Sequence, residues 1–247
     1  MSQQKLCDVE LCSYTQDAER ILIAAKHTRR LEKHDKGAPI DQQELQHCLK
    51  TVLAPLEFVD YIFLIKGVTR AFTHQLVRSR VGTSFAQESM RVANKSGQAS
   101  ARIQSEKPQF KTAVEVSFAC YESMIEEGVA TEDARGVLPI NTLTNIMMKI
   151  NLRALSSMMN SRLCVRTAKE YRTVAEDIRD LVLNIHPWAE PVLRPYCAHH
   201  GVCCYPAYTK CPLKAKYQEL QPVDTELDEI MEEWKRLVPN NAFNPIS

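Results

Sequence analysis

At 247 residues, 45% hydrophobic and 25% charged, the chain has the make-up of a globular protein with a sizeable core, and global disorder is not expected. A formal charge of +1 exerts no overall pull toward nucleic acid or a membrane, so any anion site must come from local arginine placement. Nine cysteines, an odd number in a chain too large to need a disulfide framework, indicate mostly reduced thiols.

The opening MSQQKLCDVELCSY has no basic region followed by an apolar run, and no stretch is long and apolar enough to span a membrane, so a cytoplasmic protein is expected. Residues Asp17 to Arg30 read as a helix, with Ala18, Ile21, Ala24 and Ala25 at helical spacing. Lys33 to Pro39 reads as a polar turn. A second helix is expected from Asp41 to about Leu53, capped by Asp41 with Glu44 three residues on, and Pro55 follows its end.

Leu56 to Lys66 is rich in β-branched and aromatic residues, with Val59, Tyr61, Phe63 and Ile65 on one side, and reads as a strand. Val68 to Arg80 regains helical spacing and puts His74 and Arg78 one turn apart. Beyond Gly82, Thr83 to Val92 is compatible with strand or loop. Lys111 to Glu127 is a helix stopped by Gly128, and Thr131 to Gly136 a short helix before Pro139. Two more helices are expected, Thr142 to Ser161 and Thr167 to Ile185, the latter ending at His186-Pro187. The tail after Trp188 reads as irregular up to an amphipathic helix around Leu227, Ile230, Met231 and Trp234. Residues 1–190 are therefore expected to form one domain, with 191–247 as an extension.

The seven glycines never fall in a G-x-G-x-x-G or P-loop arrangement, so a phosphate-bearing ligand would have to be held by guanidinium groups, which offer forked, charge-assisted donors. The densest supply is His74 to Arg91, with Gln75, Arg78, Arg80, Gln87, Ser89 and Arg91. An isolated polar run of this kind is more often a solvated helix face and loop. Here Ile- and Phe-rich segments flank it, so its arginines emerge from a buried element.

The R-x-R of Arg78 and Arg80, followed by S-x-x-x-x-S-x-R from Ser84 through Ser89 to Arg91, resembles the signature of flavin-dependent thymidylate synthases. Further along, Ala134-Arg135-Gly136-Val137-Leu138-Pro139 resembles that family's A-R-x-x-L-P turn. Asn151-Leu152-Arg153 and Ser161-Arg162 are similar to its N-x-R and downstream arginine, and Glu170 with Arg172 to its E-I-R helix. The order is kept from about Ala18 to Ile185. Three features depart from the pattern: Ser79 stands where the family usually has His, Glu57-Phe58 where it commonly has Glu-His, and Val81-Gly82-Thr83 supplies one residue more than usual before the first motif serine.

The resemblance implies an α/β (α+β) fold with a central, largely antiparallel twisted sheet flanked by helices, and a homotetramer with shared active sites. It implies methylation of deoxyuridylate (dUMP) with FAD as cofactor, and with NADPH and 5,10-methylenetetrahydrofolate as co-substrates. By the same token Gln75, Arg78, Gln87, Ser89, Arg91 and Arg135 would bind dUMP, Arg78, Arg80, Asn151, Arg153 and Ser157 would hold FAD, and Arg162 would act catalytically beside the uracil ring. The bland alternative for Arg153 and Arg162 is a solvated helix surface. Ser89 invites a nucleophile reading, but no His and acid pair adjoins it in sequence to activate it.

Cys197, His200, Cys203 or Cys204, and Cys211 are zinc-ligand types, yet their spacing fits no standard zinc pattern, so reduced thiols and no metal are expected. Two competing readings remain: a nucleic-acid-binding module using the arginines as a strip and the Cys/His tail as a zinc knuckle, and a flavin-binding relative with weakened catalysis.

Overall fold

Alternation of buried and less buried side chains along two neighbouring strands sets the core. In Asp60–Thr69, Tyr61, Phe63 and Ile65 are fully buried while Asp60, Ile62 and Leu64 are only partly so; in Leu143–Asn151, Ile146, Met148 and Ile150 alternate with Asn145, Met147 and Lys149. The pairing aligns these faces, with Tyr61 opposite Ile150, Phe63 opposite Met148 and Ile65 opposite Ile146. Each fully buried aromatic or branched side chain of this kind contributes about 1.5–3 kcal/mol.

The computed structural model describes residues 7–32, 37–92, 100–205, 208 and 210–213. In chain order its elements are β1 (Asp8–Tyr14), α1 (Ala18–Arg30), α2 (Gln42–Lys50), β2 (Asp60–Thr69), α3 (Arg70–Leu76), β3 (Thr83–Gln87), α4 (Pro108–Glu126), α5 (Thr131–Ala134), β4 (Leu143–Asn151), α6 (Leu152–Arg162), α7 (Lys169–Ile185) and α8 (Tyr196–His200). Short 3-10 turns cover Ala54–Phe58, Arg135–Val137 and Pro187–Val192. The strands form one antiparallel sheet in the order β1-β2-β4-β3. Its buried face joins one core with Leu155, Met158 and Met159 of α6 and with Tyr171, Val174, Ala175, Ile178 and Val182 of α7. This is the helix-flanked antiparallel architecture expected. Among the described residues no helix is long and apolar enough to cross a membrane.

Three expected elements are corrected, and the tail read as irregular after Trp188 contains the short helix α8. Leu143–Asn151 is a strand, not the first half of a helix from Thr142 to Ser161. The expected helix from Val68 begins at Arg70, because β2 continues through a bulge between Ile65 and Val68. At that bulge Gly67 takes φ +65 and donates its N–H to Asn145 Oδ1 at 3.0 Å. The strand begins at Asp60 rather than Leu56, the residues before it forming a 3-10 turn. Strand β1 was not expected at all. Thr83 to Val92 resolves into β3 followed by a turn. The final helix expected near Trp234, and residues 33–36 of the expected polar turn, lie outside the described residues.

Candidate active site

Two strand-to-helix junctions build the site. Strand β2 runs directly into α3 and β4 directly into α6, and each last strand residue turns back as a cap. Thr69 Oγ1 accepts the Phe72 N–H at 3.1 Å, and Asn151 Oδ1 accepts the Ala154 N–H at 2.8 Å. The residues just past these junctions line two clefts.

The first cleft, of about 510 Å³, is lined by Glu57, Ser79, Arg80, Gly82, Asn151, Arg153, Ser157 and neighbouring residues of α6. Four of the five residues assigned to FAD therefore meet here: Arg80, Asn151, Arg153 and Ser157. Arg153 pairs with Glu57 at 2.5 Å, so two guanidiniums face one carboxylate, a donor excess suited to an anionic group. Gly82, at φ +70, accepts the Asn151 N–H at 2.9 Å through its carbonyl oxygen and packs against the Asn151 side chain. The fifth, Arg78, lies just beyond α3 with Nη2 3.4 Å from His74 Nε2, the one-turn contact that the sequence spacing predicts.

The second cleft, of about 440 Å³, is lined by Phe72, Gln75, Arg102, Glu170, Tyr171 and neighbouring residues. Glu170 is its hub: Oε1 accepts the Thr69 N–H at 2.8 Å and pairs with Arg102 at 2.6 Å, and Oε2 accepts the Thr69 hydroxyl at 2.7 Å. Arg102 also donates to the Gly67 carbonyl at 2.7 Å, and the two paired side chains are only 14% and 11% exposed. The Arg162 guanidinium lies 4.4 Å from the centroid of the Tyr171 ring, a cation–π contact. Burial pushes the Tyr171 hydroxyl above its ordinary value, opposed by Arg162 and then by Ser79 beside it. Gln75 and Arg162 are thus brought together around Tyr171.

The other residues assigned to dUMP have different partners. Gln87 Nε2 donates to Thr73 Oγ1 at 2.9 Å, and Ser89 Oγ accepts the Arg91 N–H at 3.3 Å. Arg91 pairs with the Glu132 carboxylate at 2.6 Å, and Arg135 donates to the Glu132 carbonyl at 3.1 Å. Arg91 and Arg135, 44 positions apart in number by 135 minus 91, therefore meet at α5. Of the arginines in the His74 to Arg91 run, Arg78 contacts His74, Arg80 lines the first cleft and Arg91 pairs with Glu132, so each has a different partner.

Sequence reasoning missed Arg102 altogether and noted Glu170 only by its spacing. No motif marks Arg102; it is held in place because Ala101 bridges Thr142 and the Arg102 N–H donates to the Asn141 carbonyl at 3.0 Å. At the departures from the family pattern, Ser79 lines the first cleft, and Phe58, beside Glu57, is 64% exposed.

Residues 10–188 match the family model described as thymidylate synthase complementing protein. The chain is 32% identical over 206 residues to the flavin-dependent thymidylate synthase of Sulfurisphaera tokodaii, covering 78% of this chain and 80% of that one. It is 34% identical over 208 residues to the Saccharolobus solfataricus protein of the same name, covering 79% and 80%. Among solved structures, thymidylate synthase X from Helicobacter pylori with FAD and dUMP superposes with a TM-score of 0.64 at 18% identity, over 76% of this chain and 99% of that one. A UMP/dUMP methylase from Streptomyces cacaoi, bound with 5-Br dUMP, gives 0.61 at 19% identity, over 75% and 94%.

Proposed function

The chain belongs to the flavin-dependent thymidylate synthase family, and on that premise we propose that it methylates dUMP to dTMP in the cytoplasm, with FAD, 5,10-methylenetetrahydrofolate and NADPH. The observation that carries this reading is the convergence of Arg80, Asn151, Arg153 and Ser157 on one cleft whose floor is a glycine. Those residues, with Arg78, would hold the cofactor: the guanidiniums suit its diphosphate, and Asn151 and Ser157 supply neutral hydrogen-bonding groups. Reduced flavin supplies the hydride that completes a methyl group whose carbon comes from the folate, which leaves as tetrahydrofolate.

Arg91 and Arg135, joined at Glu132, would take the nucleotide phosphate, with Ser89 beside Arg91 and Gln87 contributing from its place at Thr73. Exchange of Glu132 for phosphate as the partner of Arg91 keeps a charge-assisted bond throughout. Gln75 would orient the nucleotide. Arg162, backed by the buried Tyr171 ring, would stabilise negative charge on the pyrimidine as its C5 becomes nucleophilic. None of the assigned roles needs a cysteine nucleophile. Because Arg91 and Arg135 meet at Glu132 while Gln75 and Arg162 lie at Tyr171, a complete site assembled between subunits of a homotetramer accounts for both pairs.

The test is direct. Purified protein should carry the absorption of bound flavin and form dTMP from dUMP only when methylenetetrahydrofolate and NADPH are both supplied. Protein that neither retains nor takes up FAD would overturn the reading.

A further inference from the structure

Cys164 is the residue that sequence spacing leaves unconnected to the Cys197–Cys211 segment. It lies in the loop between α6 and α7, two residues after Arg162. Helix α8 packs against α6. In the same loop the Arg166 guanidinium lies 5.2 Å from the Tyr205 ring centroid and 5.5 Å from that of Tyr208, so the loop and the chain beyond α8 face each other. Cys197 stands on α8, Gly201 turns the chain beyond it at φ +65, and Cys203 and Cys211 follow.

These four cysteines share an environment. Cys164, Cys197, Cys203 and Cys211 are all half-buried, whereas Cys12, Cys120 and Cys204 are exposed. Cys203 Sγ accepts the N–H of Tyr205, two residues on, at 3.3 Å. His200, the other ligand type in the segment, instead has its ring 4.2 Å from that of Tyr196.

We propose that Cys164, Cys197, Cys203 and Cys211 form a tetrathiolate site for one Zn²⁺ that fastens the C-terminal segment to the α6–α7 loop. Four soft sulfur donors suit tetrahedral zinc, and structural sites of this kind use all four positions for protein ligands. The four thiols ionise as the ion binds, releasing their protons to solvent without any change of oxidation state. The Cys197 sulfur has those of Cys203, Cys211 and Cys164 as its neighbours, and a divalent cation placed among four thiolates offsets their mutual repulsion. No three of these sulfurs lie within 4.8 Å of one another, whereas zinc–sulfur bonds of about 2.3 Å require separations near 3.8 Å. Closure therefore requires side-chain rotation at the cysteines. Cys164, outside the segment, supplies the fourth ligand that the spacing of Cys197 to Cys211 lacks.

The full chain, purified under reducing conditions from zinc-supplemented cells and dialysed against metal-free buffer, should retain about one zinc per chain. Cys204→Ser should retain it, while Cys164→Ser and Cys203→Ser should lose it with circular dichroism of the α6–α7 core unchanged. Cobalt exchanged into the unsubstituted protein should give the sulfur-to-metal charge-transfer band and the visible bands of a tetrahedral tetrathiolate. Negligible zinc in the unsubstituted protein, or undiminished zinc in Cys164→Ser, overturns the proposal. Should Cys164→Ser fail to fold, alkylation of the unsubstituted protein decides. The four cysteines should be protected with zinc and labelled after chelation, and labelling indifferent to chelation overturns the site.

Discussion

Gly82 and Asn151 are packed so closely that a methyl group on the glycine would lie 2.5 Å from the asparagine Nδ2 and 2.8 Å from its Cγ and Oδ1. The same asparagine caps α6 and lines the first cleft, so one contact holds β3, β4 and α6 in register around the assigned cofactor site.

Gly82→Ala should therefore lose both stability and flavin. The left-handed backbone alone costs roughly 1–2 kcal/mol with a side chain present, and displacement of Asn151 adds to it. Flavin retained through gel filtration, read as the ratio of 450 nm to 280 nm absorbance, should fall at least tenfold. Gly67→Ala is the control: Gly67 also has positive φ, but nothing lies within 4 Å of its added carbon, so melting should shift while flavin content stays.

Arg162→Ala should depress dTMP formation far more than dUMP binding, by roughly 10²–10³-fold if the guanidinium acts on developing charge. Arg162→Lys should rescue little, since an ammonium lacks the flat face that stacks on Tyr171. Reduction of the flavin by NADPH, followed separately by loss of flavin absorbance, should survive both substitutions. Normal turnover in Arg162→Ala would refute the role.

Arg91→Ala should weaken dUMP by about 10–100-fold and FAD hardly at all, because a charge-assisted bond to phosphate contributes about 1.5–3 kcal/mol. Calorimetric titration of each ligand checks it, and equal loss of both would redraw the division between the two sets of arginines. Arg135→Ala should behave alike, since both side chains bond Glu132.

Stability should fall with acid in a window set by His186. Its Nδ1 is 3.0 Å from the Tyr61 hydroxyl, its ring packs among Tyr14, Tyr61 and Trp188, and burial lowers it from its ordinary value of 6.5. The unfolded chain takes up this proton near pH 6.5 and the folded one only at lower pH. The stabilisation is thus complete above about pH 6.5 and is lost as pH falls from there toward the folded value. Urea midpoints between pH 7.5 and 5 should decline, and His186→Phe should flatten that decline; an unchanged slope would remove His186 as its source.

The residues lining the first cleft were easier to group from the sequence than the strands of the sheet. Arg80, Asn151, Arg153 and Ser157, grouped by motif, line one cleft, and Asn151 is itself the polar cap of the β4–α6 junction. Strand β4 was hidden because Leu143–Asn151 runs without a Gly or Pro break into Leu152, Leu155, Met158 and Met159. The helical period continues across the junction, and Met and Leu favour helices. The telling signal was the alternation of Ile146, Met148 and Ile150, which tertiary pairing with β2 selects. Strand β1 alternates Asp8, Val9, Glu10 and Leu11 but breaks register between Leu11 and Ser13, and an alternation that short is weak evidence. Arg102 and Glu170 were beyond reach because their meeting depends on β2, α7 and the Ala101 bridge at once.

Both borders of the sheet are poor templates for further strands. On one side β1 is broken by an irregularity between Leu11 and Ser13; on the other, β3 is five residues long and polar at Thr83, Ser84 and Gln87. Bulges and short strands discourage pairing through exposed amide and carbonyl groups. Copies of this chain therefore have little means of growing a continuous intermolecular sheet, and association is left to side-chain surfaces, which can close into a finite assembly instead of propagating as a fibre.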